Sequence, residues 1–131
     1  MTDADLIADE EEFHSSYRIF INAVEMLASP PEEQCEAMGN FNVAWELKED
    51  VSAGQFLVKR GYLSDTQEAW VEALVGALSI VNTSVLPAGA SKESNLVAMS
   101  SPRWRPARFM AKAVLEKLQD FTKTNAQYLG L

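Results

Sequence analysis

Apolar side chains recur at helical spacing along most of the chain, and no stretch alternates cleanly in the manner of a strand. The pattern becomes firm at Phe13. Phe13, Tyr17, Phe20, Val24 and Leu27 follow one another at steps of four, three, four and three, which sets them on one face of a helix. Pro30 and Pro31 cannot continue that helix, so it stops by Ser29. A short second helix follows, led by Ser29 or Pro30, with Pro31 near its first position and Glu32 and Glu33 in its first turn. Residues 1–12 are acidic, with Asp9, Glu10, Glu11 and Glu12 in an unbroken run. They either fray or form the first turns of the first helix, where carboxylates favour the positive end of the dipole.

Gly39 and Asn40 break the second helix, and a third runs through Val43, Leu47, Val51 and Leu57 to end near Gly61. Gly54 within it marks a close helix crossing or a kink. Ser64 and Gln67 have the spacing of a capping box, so they open a fourth helix, with Trp70, Leu74, Ala77, Leu78 and Val81 as its apolar stripe. Residues 82–94, with Pro87, Gly89 and several serines, read as a loop, followed by a short helical turn from Asn95 to Met99. Ser101 and Pro102 form an N-cap and first-position pair for the last helix, whose buried side includes Met110, Val114, Leu118 and Phe121, supported by Ala111 and Leu115. The expected fold is all-α: a bundle of four main helices plus one or two short ones, in a single domain over residues 1–131.

Composition narrows the setting. The chain has 131 residues, 47% of them hydrophobic and 23% charged, which suffices for one substantial core. A lone cysteine, Cys35, excludes an internal disulfide and points to a reducing compartment. The acidic N-terminus lacks the basic region of a secretory signal, and no apolar run is long enough for a membrane span. The expected location is the cytoplasm. The net charge of -8 is unevenly spread: residues 1–72 hold 16 of the 19 acids and 4 of the 11 bases. Two readings of that asymmetry stay open, a pair of solvated faces and an acidic docking surface for a basic partner. Nucleic acid is not expected as a direct partner, because phosphates are bound by basic faces.

Catalytic patterns are sparse. His14 is the only histidine and its place beside Phe13 suggests the polar side of the first helix. One histidine and one distant cysteine do not make a zinc or iron site. Cys35 sits among Glu33, Gln34 and Glu36, carboxylate neighbours that discourage its thiolate and suggest a small, partly buried helix residue. A di-metal bundle needs two Glu-x-x-His motifs, which a chain with one histidine cannot supply, and there is no Gly-rich phosphate loop and no dinucleotide fingerprint. No catalytic residue, metal or cofactor is expected. A carboxylate-based enzyme and a self-associating adaptor bundle are the alternatives to a binding protein.

The least generic segment runs from Gln34 to Gly54 (QCEAMGNFNVAWELKEDVSAG). Glu46, Glu49 and Asp50 stand at i, i+3 and i+4 on one helical face, with Asn42 one turn before Glu46. Phe41 and Trp45 are also one turn apart; they either anchor the core or serve as interface anchors ringed by acids. The expected partner-binding residues are Asn42, Trp45, Glu46, Glu49 and Asp50, with Glu32, Glu33 and Glu36 of the short helix and the run Asp9, Glu10, Glu11 and Glu12. Arg103, Trp104, Arg105 and Arg108 make the one basic, aromatic cluster, and these arginines are expected to pair with the acidic half of the molecule with Trp104 packed beneath them.

With its acidic Gln34–Gly54 segment on a short, cysteine-poor helical chain, the sequence resembles the small bacterial immunity proteins of toxin/immunity pairs, including the contact-dependent growth inhibition type. That resemblance implies a cytoplasmic inhibitor, a monomer in a 1:1 complex, that covers the basic active site of a cognate toxin. A nuclease is the toxin class implied, with carboxylates standing in for phosphate.

Overall fold

The face that opens at Phe13 is the spine of the fold. The computed structural model describes residues 3–38, 42–83 and 91–125, and in it α1 spans Asp3–Ala28. Phe13, Tyr17, Phe20, Val24 and Leu27 are all buried along it. Helix therefore begins well before Phe13, and the segment from Asp3 to Glu12 continues it without fraying. Arg60 Nη2 donates to Asp9 Oδ1 at 2.9 Å and Tyr62 donates its hydroxyl to Asp9 Oδ2 at 2.8 Å, which ties this end of α1 to residues 58–63.

α2 (Pro31–Met38) starts at Pro31 with Glu32 and Glu33 in its first turn, as the sequence suggests. Gln34 closes the α1–α2 junction. Its Nε2 lies 2.9, 3.1 and 2.9 Å from the carbonyls of Met26, Leu27 and Ser29, so two amide hydrogens serve the carbonyls that end α1. Residues 39–41, including the Gly39–Asn40 break and Phe41, lie outside the described residues.

α3 (Val43–Ser52) is shorter than its apolar pattern implies, because Ala53–Leu57 tightens into a 3-10 helix. Gly54 explains the change. A Cβ there would sit 2.5 Å from Cε1 and 2.7 Å from Cδ1 of the buried Phe20 ring, so the backbone meets α1 more closely than any side chain allows. α4 (Asp65–Ser79) begins with the full Ser64–Gln67 capping box. Its buried stripe is Val71, Leu74 and Leu78, with Val81 just beyond, whereas Trp70 is only half-buried beside Lys117. Leu74, Leu78 and Val81 thus stand as expected, and the stripe opens on Val71 instead of Trp70.

Residues 84–90, with Pro87 and Gly89, lie outside the described residues. α5 (Lys92–Met99) starts three residues earlier than expected, because Ser91 accepts from the Ser94 backbone N–H and caps it. Ser101 and Pro102 open a 3-10 turn, Pro102–Trp104, which runs into α6 (Arg105–Lys117); α7 (Gln119–Thr124) follows. The described residues form seven α-helices and no strand, an all-α architecture. α1 and α4 each pack against both α3 and α6, which sets α3 and α6 across the core from each other. α2 packs chiefly on α5. No described helix is long and apolar enough to cross a membrane.

Two polar residues depart from expectation. His14 is not on the polar side of α1; it is 4% exposed, edge-on to Phe13 and near Tyr62, and burial lowers its pKa against the pull of Glu10. Cys35 is fully rather than partly buried. Burial, and then the charge of Glu32, raise its pKa, with Lys92 opposing, so the thiol stays protonated. Tyr17 meets Thr122 at 2.8 Å between hydroxyls, linking α1 to α7, and burial pushes its phenol up to about 12.

Candidate functional site

The third helix turns its apolar residues Val43, Ala44, Leu47 and Val51 inward. That leaves Trp45, Glu46, Glu49 and Asp50 on one outward face. Trp45 is 53% exposed, too open for a core anchor. Asn42 does not join this face as a free amide: its side chain accepts from the Trp45 backbone N–H at 3.2 Å and is the N-cap of the helix. Asn95 Oδ1, from α5, accepts from Val43 N–H at 3.1 Å, so the start of α3 is fixed at two points.

The electrostatics of this face are unbalanced. Lys48 is the one basic residue of α3, and its Nζ reaches away to donate to the Val81 carbonyl at 2.6 Å. Among the described residues no cation forms an ion pair with Glu46, Glu49 or Asp50. Partial burial and then the like charge of Glu49 raise the pKa of Asp50. Asp50 also closes one side of an open groove of about 260 Å³ between α1 and α3, floored by Ile19, Ala23, Met26 and Leu47 and flanked by Asn22. Ile19 is 57% exposed. The surface so built is a hydrophobic strip edged by the Asp50 carboxylate, suited to a side chain that is apolar along its stem and cationic at its tip.

This arrangement has a cost in stability. A carboxyl whose folded-state pKa lies above its ordinary value favours folding while protonated; that favour is lost as pH rises through the raised value. Asp50→Asn is therefore expected to be more stable than the wild type near neutral pH, with the difference closing as pH falls below the usual carboxylate range. Urea unfolding of both proteins across that range measures it; an equal or larger gain in acid would contradict the assignment.

The other expected acids do not converge on this face. Asp9 is engaged by Tyr62 and Arg60, whose hydrogen bonds hold its carboxyl below the usual range. Glu10 stands 3.9 Å from His14. Glu11 and Glu12 are exposed on α1, and Glu32, Glu33 and Glu36 are exposed on α2, where the charge of Glu32 acts on Cys35 and Arg108. Among the described residues, Arg103, Arg105 and Arg108 form no ion pair with the acidic half. Arg108 instead donates to Met99 O at 3.1 Å and Gln34 Oε1 at 3.4 Å. Trp104 is buried as expected, its indole N–H on Ala98 O at 3.1 Å.

Spacing alone does not mark Ile19, Asn22 and Met26 as residues of this groove. The available signal is Ile19, a large apolar residue lying off the buried stripe of its helix. A larger groove of about 480 Å³, between α1 and the α6–α7 end, is floored by Ile21 and Leu115. Its rim mixes Glu25 and Glu116 with Lys123, so volume favours it while charge selects no partner there. No group of three His, Cys, Asp or Glu among the described residues is placed to hold a metal ion. Comparison with protein-family models, curated proteins and solved structures gave no match.

Proposed function

We propose that this chain is a binding protein of the immunity type, which neutralises a cognate toxin with a basic active site, of the nuclease class, by covering that site with the outward face of α3. One observation carries the reading. Trp45, Glu46, Glu49 and Asp50 share an outward face with no described cation paired to its carboxylates, while Lys48 of the same helix is committed to a backbone carbonyl. A Lys or Arg from a partner relieves the mutual repulsion of Glu49 and Asp50, a gain available only on binding. Asp50 edges an open groove rather than an enclosed cavity, which favours recognition over carboxylate catalysis.

On this reading α1, α3, α4 and α6 act as the four main helices of a bundle, and the complex is 1:1 and cytoplasmic. The experiment is affinity capture from the native cell on wild-type protein and on a Glu46→Lys, Asp50→Lys variant, followed by assay of the captured protein. The proposal expects a basic protein retained by the wild type alone, whose nuclease activity the wild type blocks. Equal retention by both baits, or undiminished activity in the complex, would defeat it.

A further inference from the structure

The outward face of α6 is the electrostatic counterpart of the face just described. Arg105, Phe109 and Lys112 follow at steps of four and three along it, with Glu116 at the far end and Arg103 in the preceding turn. Phe109 is 78% exposed, more than any other large hydrophobic residue among those described. Arg103, Arg105 and Lys112 are exposed, and none forms an ion pair with a described residue. An aromatic ring amid uncommitted cations is a surface awaiting an acidic partner.

The acidic, aromatic surface that fits it is α3 of this same protein, where Trp45 stands among Glu46, Glu49 and Asp50. Within one molecule the two faces cannot meet, because α1 and α4 lie between α3 and α6 and the faces point to opposite sides of the core. We infer that α6 of one copy docks on α3 of a second, Phe109 against Trp45, with Arg105 and Lys112 on the α3 carboxylates. Such a contact is head-to-tail. It leaves a free α3 at one end and a free α6 at the other, so association continues past the dimer, into a ring or an open chain. A single helix face on each side is a small interface, and the net charge of -8 opposes approach, so the contact is weak. A basic partner on α3 displaces it, which keeps free copies in a reserve that binding draws down. The inference does not rest on that partner's existence, since it concerns the pure protein.

Sedimentation velocity over a wide concentration range tests it. At an ionic strength of about 0.1 M, screening beyond about 10 Å suppresses the long-range repulsion and spares the contact pairs. The wild type is expected to show a sedimentation coefficient that climbs with concentration beyond the dimer value and falls back in about 1 M salt. A variant with Arg105→Gln, Phe109→Ala and Lys112→Gln, and a second with Trp45→Ala, Glu46→Gln and Glu49→Gln, are each expected to remain monomeric. Their equimolar mixture should form a complex that stops at the heterodimer, because each retains one intact face. A wild type that stays monomeric, one that stops at a closed dimer, or association that either variant leaves unchanged overturns the inference. So does a monomeric wild type whose α6 face binds a single-stranded DNA probe instead. None of these outcomes bears on capture of a basic partner by the wild type, so the two readings fail separately.

Discussion

Trp104→Ala is expected to destabilise the fold by about 3–5 kcal/mol, the range for removing a fully buried aromatic side chain. The ring is 0% exposed and lies between α5 and the start of α6, its N–H held by Ala98 O at 3.1 Å. Truncation leaves a cavity and removes one hydrogen bond from Ala98 O, which keeps the Ser101 backbone N–H at 3.3 Å, so the cavity is the larger of the two costs. Trp104→Phe separates them, because it keeps most of the apolar contact and loses only the hydrogen bond, for about 0.5–1.5 kcal/mol. For a domain of this size the alanine change should lower Tm by roughly 10–20 °C, read by circular dichroism and urea unfolding. A loss below about 1 kcal/mol, ordinary for a surface substitution, would show that Trp104 is not a core residue.

Gly54→Ala is the second large effect. The added methyl would lie 2.5 Å from Phe20 Cε1 and 3.2 Å from Val71 Cγ1, so α1 or the 3-10 segment must shift. Overpacking of this kind costs about 1–3 kcal/mol, against the modest gain alanine brings to an open helical site. Combining Gly54→Ala with Phe20→Leu makes room for the methyl, so the double change should cost clearly less than the sum of the two single ones. Strict additivity would mean that the glycine is not there for the crossing.

Those two residues also mark what could be read in advance. Gly54 inside an apolar pattern signals a close approach by chemistry alone, and the Ser64–Gln67 box signals a helix start, since both are local. The Phe13–Leu27 stripe is legible for the same reason. His14 suggests a polar face by its chemistry, yet it is buried. Its burial depends on Tyr62, brought beside it through the bond to Asp9 53 residues away in sequence. The same long-range bond keeps the acidic start of α1 in register as helix. Gln34 and Asn95 close helix ends they do not belong to, which no local pattern reveals.

The candidate site divides along the same line. The carboxylate face of α3 follows from spacing within one helix, whereas spacing leaves Trp45 open between core and surface, and packing puts it on the surface. Spacing puts Asn42 on that face, but it caps the helix, because the helix boundary decides the role of a side chain one residue outside it. The acids of α1 and α2 share only their sign with those of α3. Where they point is set by tertiary packing, and they do not gather. The groove beside Asp50 needs α1 and α3 together, so neither helix predicts it alone.

The measurement closest to the central claim is calorimetric titration of the captured basic partner with wild type and with the Glu46→Lys, Asp50→Lys variant, after circular dichroism has established that both are folded. The account predicts one site per chain, affinity that weakens with added salt, and a loss of about a hundredfold or more in the variant. Equal affinities for the two proteins would contradict it.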